Sequence, residues 1–190
     1  MKDLSIDPQR GTVLSIPFLL AMIAAVEIPH WLLWRESAIR AAFNTGVLAA
    51  VLIFAAAIVA HEAIHGITWA LAARLKRSEI KFGVLWSALT PYAHPKVPIT
   101  ARAYRIGAAM PGLVLGLLPS LAGLATGNAA LSGWGAVLLS FACGDLLILL
   151  TIRSVPPGAL VRDHPSRFGC EVLEPSDMVE PAATDLTRIP

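Results

Sequence analysis

At 190 residues the chain is long enough for one domain, and 56% of it is apolar while only 15% is charged. With a positive mean hydropathy, that balance fits a polytopic membrane protein better than a soluble globule. The formal charge of +2 is too small to suggest a nucleic-acid binder, and the two cysteines, Cys143 and Cys170, are far apart, without ligand or redox spacing, and read as free thiols.

The first ten residues carry Lys2, Asp3, Asp7 and Arg10. The apolar stretch behind them is too long for the core of a signal peptide and lacks a small-residue cleavage pattern, so it reads as a retained span. That span covers about 12–34 and ends in Trp31 and Trp34, which suit an interface. A second span covers about 46–75, a third about 104–127 and a fourth about 131–152. Each can cross a hydrocarbon layer of about 30 Å, which takes roughly 20 helical residues. The link at 126–133 is short and uncharged, so the last two spans form an antiparallel hairpin.

The one sizeable connection is 77–100. Its residues 80–89 are rich in strand formers and include Trp86, and Pro91, Pro95 and Pro98 punctuate the remainder. One or two short strands at the cytoplasmic surface are expected there, with Thr100 as the N-cap of the third helix. In that helix Gly112 and Gly116 allow close packing, and Pro111 and Pro119 are expected to bend it. After Arg153 comes a tail with six prolines and several acids, whose last fifteen or so residues read as disordered. The expected architecture is an all-α polytopic membrane protein: a four-helix membrane domain over 1–153 with a short β-like cytoplasmic loop, then a cytoplasmic tail over 154–190.

Basic residues set the orientation. With a cytoplasmic N-terminus, inside segments hold 13 of the 15 Lys and Arg residues, and outside segments hold only Arg35 and Arg40. Both termini are therefore expected in the cytoplasm, with the chain multi-pass in the cell membrane.

Within the second span lies His61-Glu62-Ala63-Ile64-His65. An H-E-x-x-H set on a helix puts both imidazoles on one face, able to grip one metal ion, and puts Glu62 beside them, able to take a proton from water. Such groups at membrane depth cost roughly 2.5 kcal/mol or more per charge unless paired or metal-bound. Hydrolytic zinc sites use two imidazoles and a third ligand, leaving one position open.

Asp145 ranks first for the third ligand. The histidine pair lies ten to fourteen residues before the cytoplasmic end of its span, roughly 15–20 Å, and Asp145 lies about eight before Arg153, roughly 12 Å deep. It is the only carboxylate in its span, and Gly144 before it would let another backbone approach. Glu27 and His30, in the outer third of span one, compete for the role, as do His94, His164 and Cys143. The plainer readings are that the histidines only pack helices, that Glu62 pairs with an arginine, that Asp145 pairs with Arg105 or Arg153, and that His94 is a loop residue.

HEAIHG at 61–66, Tyr92-Ala93-His94, Tyr104-Arg105-Ile106-Gly107 with Met110-Pro111-Gly112, Gly144-Asp145, and Asp163-His164-Pro165 with Gly169-Cys170 together resemble a bacterial family of small membrane proteins described as zincin peptidases. That family is distantly similar to the site-2 intramembrane zinc metalloproteases. The resemblance covers roughly 50–173. It implies one Zn²⁺ per chain on His61, His65 and Asp145, and Glu62 as general base. Two features of the longer site-2 proteases are missing: Leu146 follows Asp145 where they have glycine, and no Asn-x-x-Pro precedes it.

The reading expected is therefore an integral membrane zinc metalloprotease acting on membrane-embedded or membrane-adjacent peptide segments, which would add alongside strand 80–89. His94 is a candidate oxyanion donor. The rivals are a non-catalytic metal-binding or metal-transporting membrane protein using the same ligands, and a pseudo-enzyme scaffold.

Overall fold

Asp7 opens the first helix, its carboxylate accepting from the N–H groups of Gln9 and Arg10 at 3.1 and 3.3 Å. In the computed structural model, which describes residues 2–85, 90–164 and 167–174, this helix is α1 (Pro8–Trp34). A short α2 (Ala38–Phe43), capped by Ser37, turns the chain back into α3 (Val47–Ala72). The third span begins as α4 (Ala101–Pro111) and ends as α5 (Leu118–Thr126); the fourth is α6 (Ala129–Phe141) followed by α7 (Cys143–Thr151). Among the described residues, three helices are long and apolar enough to cross a membrane, or four if the bent pair α6–α7 is one span.

Thr100 caps α4 as expected, its hydroxyl accepting from Ala103 N–H at 3.3 Å. The bend expected from the prolines is taken up differently: the third span continues through a π turn at Gly112–Leu117 immediately after Pro111. Small residues bring the third and fourth spans together. A Cβ on Gly116 would lie 2.5 Å from the Leu139 Cα, so only glycine permits this backbone approach. The fourth span is bent by 46° at Ala142. Gly144 plays no part in close packing, since a Cβ there would meet nothing within 4 Å. The expectation of an approaching backbone fails at this position.

The all-α expectation needs correction. Residues of the 77–100 connection form a hairpin, β2 (Ile80–Leu85) with β3 (Thr90–Pro95), in antiparallel register. A second sheet of four strands was not anticipated. It comprises β1 (Lys2–Asp3), β6 (Cys170–Val172), β5 (Leu160–Asp163) and β4 (Ile99–Thr100), in that spatial order. The sheet ties the start of the chain to residue 172 and brings the N-terminal segment and 160–173 to the same end of the helices as the hairpin. Its core gathers Ile99, Val161 and Cys170 with Trp69, Tyr104 and Ile152 from the helices. Arg105 fastens this end by donating to the carbonyls of Ile152 and Val155 as the chain leaves α7. Both cysteines are free, as expected. Trp86 and the tail from 175 onward lie outside the described residues.

Candidate metal centre

The long apolar run makes α3 a helix, and its 3.6-residue period brings His61 and His65 onto one face, their Nε2 atoms 3.1 Å apart. The bend at Ala142 delivers Asp145, in the first turn of α7, to the same point. Its Oδ2 lies 3.1 Å from His61 Nε2 and its Oδ1 3.3 Å from His65 Nε2. Among the described residues these three form the one cluster of metal-ligating side chains.

Whether the cluster fits a metal can be judged from its own geometry. Two ring nitrogens face each other, and Asp145 Oδ2 is buried without a hydrogen bond although it is close to one of them. His65 Nδ1–H donates to the Gly107 carbonyl at 2.9 Å, so its Nε2 carries a lone pair. Three electron-rich atoms thus converge on one point, an arrangement that is costly unless a cation sits among them. Tetrahedral zinc with bonds of about 2.0–2.1 Å has ligand–ligand edges of roughly 3.3–3.4 Å. The imidazole nitrogens are 3.1 Å apart and each has a carboxylate oxygen at 3.1 or 3.3 Å, Oδ2 for His61 and Oδ1 for His65. With one atom from each residue the three lie within 4.8 Å of one another, near enough to close on one ion. The donor set fits zinc.

The Gly107 carbonyl is free to do this for a reason legible in the chain. Four residues later stands Pro111, which has no N–H to return to it. Gly107 also lets α3 close on α4, because a Cβ there would lie 2.0 Å from Trp69 Nε1. Trp69 stacks on His65 (centroids 5.0 Å apart, planes 12°) and on Tyr104 (5.7 Å, 19°), and its Nε1–H donates to the Tyr104 carbonyl at 3.2 Å. A column of rings therefore fixes the orientation of His65.

Glu62 reaches β3, where its Oε2 accepts from Ala93 N–H at 2.6 Å. The strand beside the candidate base is thus β3; β2, the edge expected to receive a substrate, is one strand spacing of about 4.8 Å further off. The outward edge of β3 is unusual, since Pro91 and Pro95 have no N–H and that of Ala93 is already engaged. It offers acceptors only.

Beyond the cluster, His94 Nδ1–H donates to Asp163 Oδ2 at 2.6 Å, and the Tyr104 hydroxyl donates to Asp163 Oδ1, also at 2.6 Å. A polar cavity of about 340 Å³ is lined by His61, Glu62, His65 and Asp145 together with His94, Asp163 and Lys81. An apolar cavity of about 360 Å³ is lined by Phe54, Ala57, Ile58, Leu115, Leu138 and Phe141, and shares His61, Glu62 and Pro91 with the first. The two meet at the candidate base.

The other ligand candidates go elsewhere. Glu27 accepts from Ile39 N–H at 3.0 Å and His30 Nδ1–H donates to the Glu36 carbonyl at 3.1 Å, so both organise the turn from α1 to α2. His94, His164 and Cys143 are not in the cluster. Asp145 does not pair with Arg105, whose guanidinium caps the carbonyls of Ile152 and Val155. Asp163 and Tyr104 were missed as parts of the site, although each opens one of the short motifs that carry the family resemblance.

A helical chain with membrane-length apolar segments thus gathers two histidines and a carboxylate around one point, a donor set that could hold a metal ion. The family model described as "Putative zincin peptidase" matches residues 53–160, more than half of the chain, and the chain belongs to that family. No curated protein and no solved structure matches it.

Proposed function

We propose that the protein is an integral membrane zinc metalloprotease, with zinc held by His61, His65 and Asp145 and with Glu62 as general base. The carrying observation is the convergence of those three donors within 4.8 Å of one another, with Glu62 next to His61 in the chain. When bound, the metal supplies a Lewis acid that acidifies water and polarises a carbonyl. Glu62 takes the proton of the attacking water and later returns it to the leaving nitrogen. Ala93 N–H holds one carboxylate oxygen of Glu62 and so aims the other at the cavity. His65 keeps its ring fixed through Gly107 and Trp69.

The substrate is a peptide segment within or beside the bilayer. Supporting this, the apolar cavity adjoins Glu62 and His61, so a bulky apolar side chain next to the scissile bond has somewhere to go. The 13 to 2 split of basic residues supports both termini in the cytoplasm, with the site just inside that face of the cell membrane.

Zinc stoichiometry of detergent-purified wild type and Asp145→Ala, together with cleavage of fluorescein-labelled casein by wild type and Glu62→Gln, tests the reading. One zinc per chain is expected in wild type and in Glu62→Gln, with weakened binding in Asp145→Ala and no cleavage by Glu62→Gln. Cleavage by Glu62→Gln at the wild-type rate, or tight zinc in Asp145→Ala, would overturn it.

A further inference from the structure

Resting on the hydrolase reading, we propose that His94 is a second catalytic residue, donating from Nε2 to the carbonyl oxygen as charge develops on it, and that Asp163 is its positioning residue.

The assignment stands on connection and elimination. His94 follows Ala93, the residue whose N–H grips Glu62, so its backbone is tied to the candidate base. Its ring lines the cavity that also holds His61, His65 and Asp145. Nδ1–H is committed to Asp163 Oδ2 at 2.6 Å, a contact spanning 69 positions in sequence. That carboxylate is itself held on its other oxygen by the buried Tyr104 hydroxyl at 2.6 Å. The ring orientation is therefore fixed from β5 and α4, while the side chain keeps 25% of its surface open. Nε2 is the atom left to the cavity, and in the protonated ring it is a donor.

Several other donors lining that cavity already have partners. The Trp69 indole N–H goes to the Tyr104 carbonyl, the Tyr104 hydroxyl to Asp163, and the Arg167 guanidinium to Asp3. Lys81 lies over the Tyr92 ring, its Nζ 5.6 Å from the centroid. A histidine needed only to pin the hairpin to the sheet has no use for a carboxylate braced from behind by a buried tyrosine. A histidine that must present one nitrogen in one direction does.

The step balances. Water oxygen bonds to the carbonyl carbon, Glu62 takes one water proton, and the carbonyl π pair moves to oxygen, where His94 Nε2–H donates a hydrogen bond without giving up its proton. The pair then returns, the C–N bond breaks, and the proton held by Glu62 goes to nitrogen, giving acid and amine.

Casein cleavage, zinc content and affinity for a leucine-containing phosphinic peptide, which mimics the tetrahedral carbon, form the test. His94→Ala should lower kcat on casein by about 10²–10³-fold with KM and zinc content unchanged. It should weaken the phosphinic peptide at least about tenfold, a readout that needs no turnover. His94→Gln, which keeps an N–H near the Nε2 position, should recover part of the loss. Asp163→Asn should lower kcat in the wild-type background and have no further effect in His94→Ala. Cleavage by His94→Ala within about threefold of wild type, or unaltered phosphinic binding, overturns the assignment. If Glu62→Gln is inactive in the same series, the hydrolase reading survives that outcome. If Glu62→Gln cleaves normally, the reading itself has failed.

Discussion

Replacing Gly107 with alanine should loosen zinc without touching a ligand. The new Cβ would lie 2.0 Å from Trp69 Nε1 and 2.2 Å from its Cδ1. Neither partner yields cheaply. The indole is held between His65 and Tyr104 and by its own hydrogen bond, and the backbone of residue 107 carries the carbonyl that receives His65 Nδ1–H at 2.9 Å. Overpacking of this kind costs about 1–3 kcal/mol of stability. Disturbing the partner of a metal-bound histidine costs about 10–100-fold in metal affinity, or roughly 1.4–2.7 kcal/mol at 1.4 kcal/mol per tenfold. The two effects should therefore appear together and with similar size. The assay is competition for zinc between purified protein and a chelator of known affinity, alongside a thermal melt. If Gly107→Ala melts lower but holds zinc as tightly as wild type, the proposed coupling from Gly107 through His65 to the metal is wrong.

Two other outcomes are expected. Ala57→Trp, which fills the apolar cavity beside Glu62, should cut kcat/KM on casein about tenfold or more and shift the cleavage sites, with zinc retained; unchanged products would deny that cavity a role. Burial, reinforced by the negative charge of Asp163, pushes the Cys170 thiol up to about 12, so maleimide at pH 8 should label it only after denaturation, as read by mass spectrometry. Because the folded-state value is the higher one, this neutral thiol favours the fold fully below the ordinary thiol range, and that contribution disappears as pH climbs through about 12.

The metal cluster was legible because helical period and apolar length are local signals. His61 and His65 share a face by spacing alone, and the depth of Asp145 follows from counting 1.5 Å per residue. The four-stranded sheet was not legible, since β1 and β4 have two residues each and their partners lie far away along the chain. No alternation can be seen in two residues. Asp163 was hidden for the same reason: its role comes from meeting His94 and Tyr104 across 69 and 59 positions. His94, between alanine and proline, could be read from sequence as a loop residue, a ligand or an oxyanion donor, and what separates these readings is the carboxylate behind it. The kink that carries Asp145 inward and the small α2 depend on tertiary contacts that hydropathy does not record.

The pairing of Lys2 and Asp3 with Val172 and Glu171 has a consequence for biogenesis. On the proposed reading, a chain that has emerged as far as α7 carries His61, His65 and Asp145, whereas Asp163, the partner of His94, follows in β5. On that reading the site would be complete only once β5 and β6 had paired with each other and β6 with β1.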